Sequence, residues 1–152
     1  MKIIIAMALI MLSNLVNAQD NYHEVSMQNN GLNSFYVSTT IKGVGQASLL
    51  VDTGAGYSTI NQNTLELLQE TGDAIYIKKL EGVLADGSRI KVPVYRISSL
   101  NIGGTCQLSN IEVAVFPNRS QEILGLSTLS KLSPFIFSTN PPRLFLNNCN
   151  EV

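Results

Sequence analysis

A continuous apolar run, Leu49-Leu50-Val51, ends directly on Asp52-Thr53-Gly54-Ala55. Three apolar residues in succession suit a strand buried on both faces. A carboxylate at the end of such a strand is costly to bury unless something pairs with it or uses it. Asp and Gly are also turn residues, and Asp can bond its own backbone, so a plain turn is the ordinary account. The meaning of the tripeptide therefore depends on what surrounds it.

The surrounding chain reads as short strands separated by turn residues. Ser34 to Ile41 is rich in β-branched and aromatic types, Lys42 to Gln46 reads as a hairpin connection, and Ala47 to Val51 is the return strand. Gly43-Val44-Gly45 is no dinucleotide loop, because no third glycine follows and a strand rather than a helix comes next. One helix is expected, with Asn63 as N-cap, Glu66 three residues on, Leu65, Leu67 and Leu68 as apolar contacts and Gly72 as stop. Strands resume at Ala74 to Leu80, and Leu84-Ala85-Asp86-Gly87-Ser88 turns the chain between Glu81-Gly82-Val83 and Arg89 to Val92. Gly103-Gly104 separates Arg96 to Ile102 from Cys106 to Phe116; a short helix at Ser127 to Leu132 and a strand at Arg143 to Leu146 follow. The expected fold is all-β, a partly closed barrel with one or two short helices.

With 152 residues, 45% of them hydrophobic and 14% charged, the chain holds one globular domain. Residues 1–18 are expected to be a signal peptide rather than part of that domain: Lys2 gives a positive start, Ile3 to Val16 is almost wholly apolar, and Val16-Asn17-Ala18 is a small-residue cleavage site before Gln19. The domain then spans 19–152, in an exported protein that is periplasmic or secreted. Retention of the segment as an anchor is the alternative, and the one route to a stable membrane partner. In an oxidising compartment Cys106 and Cys149 form a disulfide or remain two unpaired thiols, and both readings stay open. Neither cysteine has a histidine beside it, so a cysteine nucleophile is not expected. Net charge is −1, without a basic run, which excludes nucleic acid as a partner. A single histidine, His23, and two cysteines leave no conventional zinc set, and no metal is expected.

A second signal follows downstream. Ile123-Leu124-Gly125-Leu126-Ser127-Thr128-Leu129 places two bulky apolar residues before a glycine and then opens a helix. Such a glycine is either a flexible entry into the helix or the point where another backbone passes close behind a reactive loop. Together and in this order, the two signals resemble the retropepsin-like aspartic proteases, most nearly their small exported bacterial members. The shared pattern is a strand, Leu50-Val51-Asp52-Thr53-Gly54-Ala55, a helix, a hairpin turning at Ala85-Asp86-Gly87, then Leu100-Asn101-Ile102-Gly103-Gly104, and lastly Ile123-Leu124-Gly125 with its short helix. It runs from about Phe35 to Leu146. Two departures stand out: Gly56 follows Ala55 where relatives usually carry Ser, and the hairpin lacks the glycine-rich tip of viral flaps.

The resemblance implies an aspartic endopeptidase acting on protein or peptide substrates as a homodimer, with Asp52 from each subunit sharing one proton and one water and no cofactor. Two carboxylates about 3 Å apart cannot both ionise. By the same likeness Thr53 bonds across the dimer, Gly54 aims Asp52 and holds its carboxylate, and Ala55, Leu124 and Gly125 support the loop. A hairpin carrying Val83, Leu84, Ala85, Asp86, Gly87 and Ile90 folds over the peptide, with Val83, Leu84 and Ile90 suited to apolar side chains. A non-catalytic peptide-binding or assembly module of the same fold is the alternative. Outside this pattern Asp86 reads as a solvated turn residue, Asp73 as a loop residue at a helix end, and His23 as a mobile surface side chain. Lys78-Lys79 is an exposed pair, and Asn118-Arg119-Ser120 fits an N-glycosylation site.

Overall fold

The computed structural model describes residues 22–117 and 120–149. The expected signal segment, and Asn118 and Arg119 of the glycosylation pattern, lie outside the described residues. Among the described residues ten strands form one sheet: β1 (His23–Asn29), β2 (Phe35–Ile41), β3 (Gly45–Val51), β4 (Ser58–Asn61), β5 (Ala74–Val83), β6 (Arg89–Ile102), β7 (Cys106–Phe116), β8 (Ile123–Leu124), β9 (Ile136–Thr139) and β10 (Pro142–Leu146). Helix α1 (Gln62–Glu70) follows β4, and a short α2 (Leu126–Leu129) runs into a 3-10 turn at Ser130–Leu132.

The strand order β5-β6-β7-β4-β8-β3-β2-β1-β10-β9 closes on itself where β6 also pairs with β2. Thr39 lies opposite Ile102 and Ile41 opposite Leu100 at that seam. Six strands thus form a barrel, β6-β7-β4-β8-β3-β2, with β5 extending from one side and β1-β10-β9 from the other. The alternation of β2 sends Phe35, Val37, Thr39 and Ile41 inward. Phe35, Val37 and Ile41 meet Leu49 and Val51 of β3, Leu100 and Ile102 of β6, and Leu124 in one core. Burying a side chain such as Leu124, which has no exposed surface, contributes about 2–3 kcal/mol.

Several expectations need correction. β3 is not buried on both faces, since Leu50 is only half-buried. The N-cap of α1 is Asn61, not Asn63: its side chain accepts from the Thr64 N–H at 3.0 Å. β4 pairs in parallel with β7 through Asn61, so the chain enters the helix two residues earlier than the Asn63/Glu66 pattern suggests. Thr64, Leu65 and Leu68 face inward and Leu67 is exposed. His23 is not on a loose end: it opens β1 opposite Leu146. Asp73 is the loop residue after α1 that the sequence suggests, and it is also buried, 2.9 Å from the Lys42 ammonium. Cys106 and Cys149 are joined as a disulfide, which ties the segment after β10 to the start of β7.

Candidate active site

Asp52 follows the last residue of β3, and the neighbouring strand β8 holds it there. Leu50 N–H donates to the Glu122 carbonyl at 3.0 Å and Asp52 N–H to the Leu124 carbonyl at 3.1 Å. β3 and β8 run parallel, with Val51 beside Leu124. Beyond Asp52 the chain turns tightly: Gly54 N–H donates to Asp52 Oδ1 at 2.8 Å, and Ala55 N–H to the Asp52 carbonyl at 3.3 Å. One carboxylate oxygen is thereby fixed by a backbone donor. Asp52 is half-buried, and Thr53 and Gly54 are exposed at the tip of the loop.

The loop returns against the start of α2. Leu126 N–H donates to the Ala55 carbonyl at 2.8 Å and Ser127 N–H to the Gly56 carbonyl at 3.0 Å. Gly125 must be a glycine for this approach: a Cβ there would lie 2.6 Å from the Tyr57 carbonyl carbon and 2.8 Å from the Ala55 oxygen. Its φ of −102° is ordinary, so the requirement is space rather than backbone freedom. Ser58, which the sequence did not single out, joins the two signals. Its buried hydroxyl accepts from Gly125 N–H at 3.0 Å and lies 2.6 Å from Thr128 Oγ1, while its N–H donates to Ser127 Oγ at 2.9 Å.

Asp52 borders two cavities. One, of about 530 Å³, is lined by Tyr57, Thr59, Leu80, Val92, Phe116 and Ile123, among others, together with Gly82, Val83, Leu84 and Ala85 of the β5–β6 hairpin. Of the hairpin residues expected to meet substrate, Val83, Leu84 and Ala85 line this cavity. Ile90 is not among its walls and packs against Val92, Val94 and Ala114, of which Val92 and Ala114 also line the cavity. Asp86 and Gly87 shape the hairpin tip. Asp86 Oδ1 accepts from Ser88 N–H at 2.9 Å and from its hydroxyl at 2.6 Å, which holds the carboxyl below its usual range, and Gly87 has a φ of 82°. The second cavity, about 510 Å³, is lined by Asn33, Ser34, Phe35, Leu50, Val51, Phe137 and Thr139. Phe137 belongs to β9, and its ring meets Phe35 edge-on at 5.3 Å between centroids.

Tyr57, a wall of the first cavity, lies beneath Lys78, whose ammonium is 5.6 Å from the ring centroid. The Tyr57 hydroxyl, then Glu112 at 3.7 Å, raise the Lys78 pKa. Lys78 is thus exposed, as expected, but paired. Among the described residues no group of three or more His, Cys, Asp or Glu could hold a metal ion, and no helix is long and apolar enough to cross a membrane.

Residues 37–131 match the model of a family described as "gag-polyprotein putative aspartyl protease". The fold is shared with a retropepsin-like aspartic protease from Rickettsia conorii, at 21% identity and a TM-score of 0.56, over 83% of this chain and 89% of that one. At that identity the likeness speaks for the architecture, a retropepsin-like barrel. No curated protein matches the chain.

Proposed function

The chain belongs to the gag-polyprotein aspartyl protease family, and we propose that it is an aspartic endopeptidase that cleaves peptide bonds with the Asp52 side chains of two copies joined as a homodimer. The observation that carries this reading is the seat of Asp52. It borders two cavities, its amide is fixed by Leu124 and one carboxylate oxygen is held by Gly54 N–H at 2.8 Å. A carboxylate with a fixed direction can act as general base on a positioned water.

One chain supplies one such group, so the second comes from another copy. Of the two, one is ionised and takes a proton from the water as its oxygen attacks the scissile carbonyl carbon. The other is protonated and gives its proton to the carbonyl oxygen. The carboxyl that took the water's proton then gives it to the leaving nitrogen as the C–N bond breaks. The other takes a hydroxyl proton from the intermediate, which leaves a carboxylic acid, an amine and a pair again sharing one proton. Thr53, exposed at the loop tip, faces the partner in this arrangement. The β5–β6 hairpin closes over an extended peptide and adds backbone hydrogen bonds. Tyr57, Leu80, Val83, Val92, Phe116 and Ile123 favour an apolar side chain beside the scissile bond. The Cys106–Cys149 disulfide supports an exported location, because cytosolic thiols are kept reduced.

The test is cleavage of a diverse peptide library by the purified chain, wild type beside Asp52→Asn, across acidic to neutral pH. Cutting that a statine-type inhibitor stops and Asp52→Asn lacks supports the proposal. A folded dimer that binds peptides and cuts none of them makes the chain a binding module instead.

A further inference from the structure

The strand that holds Asp52, β8, is only two residues long. So short an element has few ladder bonds of its own, and something else must set its register. At its far end Gly125 N–H is fixed by Ser58. At its near end stands Glu122, buried and remote in sequence from the residues it touches. Glu122 Oε1 accepts from Thr64 Oγ1 at 2.5 Å and from Asn61 N–H at 3.3 Å. Asn61 is the N-cap of α1, and Thr64 stands three residues on.

In a capping box the residue at that third position reaches back to the N-cap N–H. Thr64 has no such reach, and the carboxylate of Glu122, the residue before β8, supplies the acceptor. The position suits a carboxylate, because the start of a helix presents unpaired N–H groups and the positive end of its dipole. The same residue sets the backbone of β3: the Glu122 carbonyl receives Leu50 N–H, and two residues on, the Leu124 carbonyl receives Asp52 N–H.

From this we infer that Glu122 is a positioning residue for Asp52: its carboxylate clips β8 to the start of α1 and so fixes the register in which β8 presents the Leu124 carbonyl to the Asp52 amide. The inference rests on the peptidase reading for its catalytic consequence, and on geometry alone for its structural one. Catalysis by a carboxylate pair is sensitive to placement, and an error of about 1 Å costs on the order of a hundredfold in rate. A loosened clip is therefore read in turnover before it is read in peptide binding.

The experiment compares Glu122→Ala and Glu122→Gln in the full chain, at temperatures where both are folded. It measures kcat and KM on one peptide, together with amide hydrogen exchange at Leu50 and Asp52. Glu122→Ala is expected to lower kcat about tenfold or more with KM changed less than about threefold, and to speed exchange at those two amides while β1–β10 amides stay protected. Glu122→Gln keeps an acceptor oxygen and is expected to recover most of both losses. Unchanged exchange at Leu50 and Asp52 in Glu122→Ala overturns the inference, as does an equal loss of kcat and of stability in both variants. If the wild type cuts nothing, the peptidase reading fails, while the exchange result still decides whether Glu122 holds the loop.

Discussion

Gly125 and Tyr57 stand in direct backbone contact, with no room for a methyl group between them: a Cβ on Gly125 would lie 2.6 Å from the Tyr57 carbonyl carbon. Gly125→Ala must therefore push the Ala55–Tyr57 turn away from α2, and that turn carries the far side of the Asp52 loop. Overpacking of this kind costs about 1–3 kcal/mol. The variant is expected to unfold at lower denaturant concentration and to lose most peptidase activity while still folded. Urea unfolding and a cleavage assay on the same sample check both.

Ser58 is the polar counterpart of that contact. Its hydroxyl takes Gly125 N–H at 3.0 Å and meets Thr128 Oγ1 at 2.6 Å, with 1% of its surface exposed. Ser58→Ala leaves a buried N–H and a buried hydroxyl short of a partner, a loss of about 1–3 kcal/mol. Ser58→Thr keeps the hydroxyl and is expected to lose less. Denaturant midpoints of the two variants separate the missing hydrogen bond from the added methyl.

These contacts show why part of the site was legible in the sequence and part was not. Asp52-Thr53-Gly54-Ala55 and Leu124-Gly125 are local patterns whose meaning survives without knowledge of partners: a carboxylate, a tight turn, a glycine where backbones meet. Ser58 and Glu122 act through partners more than fifty residues away, and nothing in their neighbourhoods marks them. The same holds for the fold. β2 and β3 announce themselves by alternation and an apolar run, whereas β1 buries only Val25 and Met27, and β9 forms its ladder with β10 alone, with Ile136 and Phe137 left exposed. Such strands exist because a neighbour is there to pair with, and no period betrays them. Asn61 outcompeted Asn63 as the helix cap for a like reason, since the end of β4 sets where the helix can begin.

Asp73 makes stability depend on acid. Its carboxyl is held below the usual range first by the Lys42 ammonium at 2.9 Å, then by the Ser98 and Thr71 hydroxyls, against the upward push of burial. A group whose pKa is depressed by folding contributes stability above its unfolded pKa, and that contribution is lost as pH falls through the folded value. Asp73→Asn is therefore expected to be less stable than wild type at neutral pH, with the gap closing in acid. Urea unfolding of both proteins from neutral pH to about pH 2 tests this; a gap that persists in acid refutes it.

The disulfide should matter most for the end of the chain. Cys106 and Cys149 are 43 residues apart, and closing a loop of that length contributes about 3–4 kcal/mol on chain entropy. The double variant Cys106→Ser, Cys149→Ser is expected to lose about that much, and wild type treated with a dithiol reductant should approach it. Because β10 pairs with β1, exchange protection should fall first at Leu144 and Leu146 and last in the barrel.

Leu80 tests whether the larger cavity reads substrate. It is half-buried, lines the cavity beside Val92 and Phe116, and sits in β5 before the hairpin tip. Truncating it to Ala removes apolar wall from the cavity that Asp52 borders without changing the loop that holds the carboxylate. Differences of one or a few methylenes in an apolar pocket shift discrimination by roughly 10–200-fold. Leu80→Ala is expected to move preference toward bulkier apolar side chains at one position beside the scissile bond, by about tenfold in relative kcat/KM. Cleavage of a library varied at one residue at a time measures the shift. Equal loss on all peptides would mean that Leu80 only props the hairpin, and that the selecting wall lies in the other cavity, where Phe137 and Phe35 meet.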